Sequence, residues 1–463
     1  MNTLQSELPY VPDSAMLFEA IADEPWAMLL DSGPAEARRG RYDILVADPM
    51  ATLVTRGERT ELRTHSGTRI AVDDPFALLR EQLGEPASQD PAVPFRGGAV
   101  GYFGYDLGRR IERLPTYARD DERLPELAFG IYDWALVVDH VAQRATLVGS
   151  GRDPRTAERW AARVARFSAA ASSVSRVPFH VAGEVRTALG FADYAAAFAR
   201  IKHYIREGDC YQVNFAQRFS VGCSGDPWLA YRRLRRLNPA PFAAYLNLPF
   251  AQVLSASPER FLRVDAGVVT TQPIKGTRPR SRDPMLDRLR ADELRESIKD
   301  RAENVMIVDL LRNDLSKNCE PHSVRVPKLF ELQSFATVHH LVSTVTGRLR
   351  PAHHALDLLR GAFPGGSITG APKIRAMEII EELEPFRRGV YCGAIGYVGF
   401  DGAMDTNIVI RTLTHARGRM RFWAGGGIVM DSTLEGEYQE SLDKAAALLE
   451  LLGEEPHFHY ADG

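Results

Sequence analysis

Lysine is scarce in this chain. Of 57 basic residues only seven are lysine, at positions 202, 275, 299, 317, 328, 373 and 444. Cysteine is scarcer still: Cys210, Cys223, Cys319 and Cys392 show no C-x-x-C spacing and no partner histidines, so they read as reduced thiols of a cytoplasmic protein. No apolar run approaches the roughly 20 residues of a membrane span. The N-terminal MNTLQSELPY lacks the basic and apolar regions of a signal peptide. Net charge is −3 and there is no basic patch, which argues against a nucleic-acid partner. Neither an internal repeat nor a low-complexity tract is present. What remains is 463 residues, 45% hydrophobic and 25% charged, enough for two or three domains or one unusually large one.

Residues 1–180 read as a β-rich region. Ala27–Leu30, Asp43–Ala47, Thr52–Val54 and Ile131–Asp139 are expected strands, and Phe76–Leu83 a short helix. The stretch at 168–177, SAAASSVSRV, reads as a linker into a second region, 181–455. There Phe191–Glu207 and Leu294–Leu315 have helical spacing, the latter through Leu294, Ile298, Ala302, Val305 and Val308. Helices are also expected at Ala355–Ala362, up to Ile380 and at Leu434–Leu452, with strands at Val342–Arg348, Cys392–Phe400 and Asn407–Thr414.

Thr270–Arg280, TTQPIKGTRPR, is the most informative stretch. Pro273 and Pro279 fix φ and Gly276 permits a tight turn, so Lys275 is expected on a constrained bend between strands. Arginine cannot deprotonate, whereas a lysine can when its surroundings lower its pKa. A solvated turn lysine is the plainer alternative.

Two helices each present acids three residues apart: Asp300 with Glu303, and Glu437 with Glu440, the last pair followed by Lys444. Either pair alone is an ordinary wet helix face. Converging, the four would need a cation, and hard oxygen ligands suit Mg²⁺, which takes one or two carboxylates and keeps several waters. Glu303 and Glu440 are then expected as direct ligands, with Asp300 and Glu437 acting through water.

PIKGT, SASPERF (255–261), GDCYQVNFAQRF (208–219), AENVMIVDLLRNDL (302–315), VHHLVSTVTG (338–347), FPGGSITGAPKIRAMEII (363–380), IGYVGFDGAMDTNIVIRT (395–412) and AGGGIVMDS (424–432) resemble the chorismate-utilising enzymes. The likeness runs from about 185 to 452, with eight motifs in one order. It implies an α+β fold of two large antiparallel sheets packed across each other, helices outside, as in anthranilate synthase component I. Anthranilate synthase large subunits and isochorismate synthases typically have a small residue where PIKGT has Lys275. The lysine points to the branch that aminates chorismate at C4.

For that branch the resemblance implies Lys275 as nucleophile at C2, Glu259 as general acid on the departing 4-hydroxyl, and His340 beside the leaving group. Arg411 and Tyr397 would hold the side-chain carboxylate. Gly425, Gly426 and Gly427 would offer amides to an anion at a strand-to-helix turn, and Lys444 would support Glu440 or the substrate. Thr277 and the segment from Ser367 to Lys373 would line the pocket. Gln212 stands where isochorismate synthases have a water-activating lysine, and its neutrality favours ammonia as nucleophile. The chain has no Cys-His-Glu glutaminase constellation, so ammonia would come free or from a separate glutaminase subunit. Leu30, Asp31 and Ser32 match a tryptophan-pocket element, with Asp in place of Glu. The rival readings are an anthranilate synthase large subunit and a catalytically idle amino-acid-binding regulatory subunit.

Overall fold

The structure is a computed structural model that describes residues 4–38, 40–87, 93–169, 175–334 and 338–454. Residues 170–174, the centre of the expected linker, lie outside them. Two sheets of twelve strands each form the frame. The first runs Leu4–Leu8, Arg144–Gly149, Trp134–Asp139, Tyr42–Val46, Ala27–Asp31, Phe242–Leu248, Ala251–Ser257, Thr412–Ala416, Arg419–Ile428, Gln212–Ser224, His180–Thr187. The second runs Ile274–Pro279, Val338–Arg348, Val268–Thr271, Arg260–Asp265, Met404–Asn407, Ala394–Gly399, Gly98–Phe103, Leu127–Tyr132, Ala51–Arg56, Arg59–Thr64, Gly67–Ala71. Gly370–Ala371 adds to Gln212–Ser224, and Arg325–Ser334 to Val338–Arg348. Both sheets draw strands from either side of residue 180, so ladder hydrogen bonds cross that point.

Strand side chains alternate between two faces, and here both faces are covered. Met28, Ile44, Val100, Tyr102, Tyr132 and Val253 fill the space between the sheets. Helices Pro227–Leu237 and Leu434–Leu451 cover the outer face of the first sheet with Trp228, Leu234, Leu448 and Leu449. Helices Pro75–Leu83 and Ala355–Ala362 cover the second with Phe76, Leu79, Leu356 and Leu359. Each fully buried large apolar side chain contributes about 1.5–3 kcal/mol. This is the expected arrangement of two crossed sheets with helices outside.

Two expected strands fail where the chain changes sheet. Ile131–Asp139 is two strands broken at Asp133, Leu127–Tyr132 in the second sheet and Trp134–Asp139 in the first. Asn407–Thr414 likewise divides, because Met404–Asn407 ends in the second sheet and Thr412–Ala416 begins in the first. At each crossing buried apolar residues flank a single charged one, Asp133 or Arg411, because both strands are buried, and so they hide the break. The expected helix 294–315 is two helices, Pro284–Glu296 and Ile298–Ser316, because Ser297 caps the second by accepting from the Asp300 amide. Its buried side is therefore Asn304, Ile307, Val308 and Leu311, while Ile298 and Val305 of the expected stripe are exposed.

One buried ion pair ties the first sheet to the loop before residue 370. Arg388 bonds Glu384 through two nitrogens at 2.9 and 2.6 Å, and also donates to the Ile368 and Asn214 carbonyls at 2.9 and 2.7 Å. Glu384 in turn accepts from the Ala216 amide at 2.9 Å. Removing one partner leaves the other charge buried alone. Arg388→Met is expected to lower the free energy of urea unfolding by about 3–5 kcal/mol. The double variant Arg388→Met, Glu384→Leu should recover part of that loss; a double variant no more stable than the single one would contradict this account.

Candidate active site

Lys275 lies within the strand Ile274–Pro279, not on a bend between strands. The register pairs Lys275 with Leu341 and Thr277 with His340, leaving Gly276 as the extra residue of a bulge, at φ +81°. A Cβ there would lie 2.7 Å from Leu294 Cδ1 and 2.9 Å from Asp300 Cγ. Glycine therefore lets the helix Ile298–Ser316 close onto the strand, bringing Glu303 toward Lys275.

Glu259 occupies the crossing from Ala251–Ser257 in the first sheet to Arg260–Asp265 in the second. Its backbone is pinned there, since its carbonyl accepts from the Ile408 amide at 3.0 Å. Its carboxyl is buried and accepts from Ser367 Oγ at 2.8 Å. Burial pushes its pKa up to about 7, against the opposing pull of Ser367, Lys275 and Lys444. Arg411 sits at the return crossing, with φ +53°, and donates to the Lys444 carbonyl at 2.8 Å. Such backbone strain in a large residue persists only when its surroundings over-determine it. Sheet crossings thus supply two of the expected site residues.

Helix Leu434–Leu451 brings the second group of charges. Glu437 is buried, and its Oε1 accepts from Ser432 Oγ at 2.6 Å while its Oε2 has no hydrogen-bond partner. Lys444 Nζ lies 2.5 Å from Glu440 and donates to the Gly425 carbonyl at 3.1 Å. A Cβ on Gly426 would stand 3.0 Å from Glu437 Oε2, 3.3 Å from Glu440 Oε1 and 3.5 Å from Lys444 Nζ. The missing side chain is the floor over which both carboxylates meet. Gly425–Gly427 lie within the strand Arg419–Ile428, paired with Asn214–Ala216, rather than at the expected strand-to-helix turn. The neighbouring strand pairs with this one only as far as Phe422, so the glycines run past its end.

The two charge groups face each other. Lys299 Nζ lies 3.8 Å from Glu303 and 4.0 Å from Glu437, which belong to different helices. Burial raises the pKa of Glu303 and of Glu437, with lysines opposing the rise. Burial acts the same way on Glu440, but Lys444, Lys299 and Lys275 together outweigh it and hold that carboxyl low. Lys275 is shifted down, first by burial and then by Lys444, with Glu303, Glu259 and Glu440 pulling the other way. His340 is buried; burial pushes its pKa down to about 4, so its ring is neutral at pH 7, with Nδ1 2.9 Å from Thr277 Oγ1.

Other expected residues fall elsewhere. Asp300 is paired with Arg278 at 3.2 Å. His339 bonds Ser334 and Asp287. Lys373 bonds Asp314 and the Ala362 carbonyl at 2.7 and 2.6 Å, which makes it a packing bridge. Gln212 is fully buried, with neither amide atom hydrogen-bonded, against Gly427. Tyr397 lines a different cavity of about 600 Å³ with Leu30, Asp31 and Arg260, its ring edge-on to Phe95. The Asp31 carboxylate is turned from that cavity toward Arg235 and Tyr231, and Ser32 Oγ donates to Asp43. Lys299, Ser367 as the partner of Glu259, and Ser432 carry no sequence signal of a site role. For Lys299 the one local hint is its spacing, four residues before Glu303.

Among the described residues no three histidine, cysteine or acidic side chains converge tightly enough to form a metal-ligand set by themselves. The buried orphan oxygen of Glu437 and the glycine floor shared with Glu440 nonetheless fit a hard cation that keeps most of its waters.

The chain belongs to the chorismate binding enzyme family, whose sequence profile matches residues 27–450. It is 52% identical over 450 residues to aminodeoxychorismate synthase component 1 of Klebsiella aerogenes, covering 96% of this chain and 98% of that one. It is 50% identical over 446 residues to the same enzyme component of Salmonella typhimurium, covering 96% of each chain. Anthranilate synthase component 1 of Thermus thermophilus is 43% identical over 432 residues, covering 92% of each. The crystal structure of anthranilate synthase component I from Streptococcus pneumoniae superposes with a TM-score of 0.77 at 32% identity, covering 89% of this chain and 92% of that one.

A buried acid whose folded pKa is raised stabilises the fold below its unfolded value and loses that contribution as pH rises through the folded value. For Glu259 the window runs from 4.5 to about 7. Across it, wild type is expected to lose stability relative to Glu259→Gln, by on the order of 3 kcal/mol at most. Thermal melts of the pair at several pH values check this, and parallel curves would refute it.

Proposed function

We propose that this chain aminates chorismate at C4 with ammonia, giving 4-amino-4-deoxychorismate on the route to 4-aminobenzoate and folate. The observation that carries the reading is Lys275: an amine with lowered pKa at a glycine bulge, with the raised-pKa acid Glu259 among the charges that act on it. The Lys275 amine attacks C2 as the C4–O bond breaks, and Glu259 supplies the proton with which the hydroxyl leaves as water. Ammonia then adds at C4 and expels the lysine amine from C2, and the ammonium so formed returns a proton to the Glu259 carboxylate, restoring the enzyme. Neutral His340 donates or accepts a hydrogen bond beside the leaving group without adding charge. Arg411 holds substrate carboxylate, Lys444 supports Glu440, and buried Gln212 offers unpaired amide atoms to a small neutral nucleophile.

Glu303, Glu437 and Glu440 would hold Mg²⁺, with Asp300 at the edge, and the bound ion would supply electrostatic stabilisation of substrate carboxylate. Ammonia would be delivered by a separate glutaminase subunit, consistent with relatives named as a component 1. Free thiols at all four cysteines fit a reducing cytoplasm. Tryptophan is a candidate for the cavity beside Leu30 and Tyr397, with the Asp31 carboxylate already engaged by Arg235. An anthranilate synthase activity is the rival from within the family, and Lys275 disfavours it. An idle regulatory subunit would have no use for this full set of acids and lysines.

Turnover of chorismate with Mg²⁺ and ammonium, with products identified by mass, tests the reading. Wild type is expected to give an aminated, non-aromatic product that becomes 4-aminobenzoate only when a lyase is added. Lys275→Ala should reduce the rate by about a thousandfold or more. Fluorescent anthranilate from wild type would assign the chain to the other branch, and no turnover would favour the regulatory reading.

A further inference from the structure

We infer that Lys299 is a built-in substitute for the metal: its ammonium bridges the two ligand helices while the cation is absent and is displaced when the cation binds. The inference rests on the Mg²⁺ reading above. Three observations support it. Lys299 is the group that spans the helices, 3.8 Å from Glu303 on its own helix and 4.0 Å from Glu437 on the other. Its side chain is 52% exposed, so it can swing into solvent, whereas Glu437 is held in place by Ser432 and buried. It also stands in the first turn of the helix Ile298–Ser316, where the macrodipole disfavours a cation, so helix stability does not account for it.

Charge balance gives the reason for displacement. Glu303, Glu437 and Glu440 face Lys275, Lys299 and Lys444, three of the chain's seven lysines. Lys444 is committed to Glu440 and to the Gly425 carbonyl. Adding a divalent cation while keeping every lysine would leave the site with an excess of positive charge. Lys299 is the group whose release corrects it, because its contacts are long and its side chain is half exposed. A lysine suits this better than an arginine, which would grip a carboxylate through a planar fork.

Magnesium titration by calorimetry at low ionic strength tests the inference on wild type, Lys299→Met and Lys299→Arg, with thermal melts of each protein with and without Mg²⁺. Removing a half-exposed competing cation held by two long ion pairs should tighten magnesium binding about three- to tenfold in Lys299→Met. Lys299→Arg should bind magnesium no more tightly than wild type. Metal-free Lys299→Met should melt below metal-free wild type, since its acids face each other uncompensated, and saturating magnesium should close that gap. A Met variant that melts cooperatively only with magnesium supports the same conclusion. Equal or weaker magnesium binding in Lys299→Met, with wild type binding normally, overturns the role of Lys299. Wild type that binds no magnesium overturns the metal reading itself.

Discussion

Everything at this site depends on two helices, from opposite sides of the molecule, being allowed to press their acids toward a common point. Like charges held together need both close approach and a counter-charge. Approach is granted by Gly276 on one side and Gly426 on the other, where any side chain would meet Asp300, Glu437 or Glu440. Counter-charge comes from Lys275, Lys299 and Lys444. In a chain that uses arginine almost everywhere, placing three of seven lysines here puts compact, mobile point charges where they can be neutralised, displaced or used as nucleophiles.

Burial then assigns the protonation states. The same desolvation raises Glu259 to about 7, lowers Lys275 and takes His340 to about 4, so burial favours the uncharged form of the acid, the amine and the imidazole alike. Glu440 is the exception, because Lys444, Lys299 and Lys275 together exceed the effect of burial. Under the proposed reaction this is the environment that paired proton donation by Glu259 and amine attack by Lys275 would require.

Sheet crossings do the positioning. Glu259 and Arg411 sit where consecutive strands leave one sheet for the other, and the Glu259 carbonyl holds the Ile408 amide. The Arg388–Glu384 pair fixes the loop that carries Ser367 to Glu259. Tyr397, Leu30 and Asp31 belong to another cavity, formed between the sheets by both halves of the chain. Its residues share strands with the active-site side but not its charges.

Motif order in the amino-acid sequence indicates the family and the crossed-sheet fold. Three-residue spacing puts Glu437 with Glu440 on one helix face, because helical periodicity is local. The scarcity of lysine singles out Lys275 on composition and chemistry alone. Which surfaces meet is a different kind of question. Ile408, Val409 and Ile410 hide the crossing before Arg411 because both flanking strands are buried, and the exposed Ile298 and Val305 mimic a core stripe because Ser297 starts a new helix. Whether Lys299 reaches Glu437, and whether Tyr397 joins Arg411, depends on side chains more than a hundred residues apart or on different sheets. Only tertiary packing sets those distances, because sequence periodicity specifies the face a residue occupies and not what that face touches.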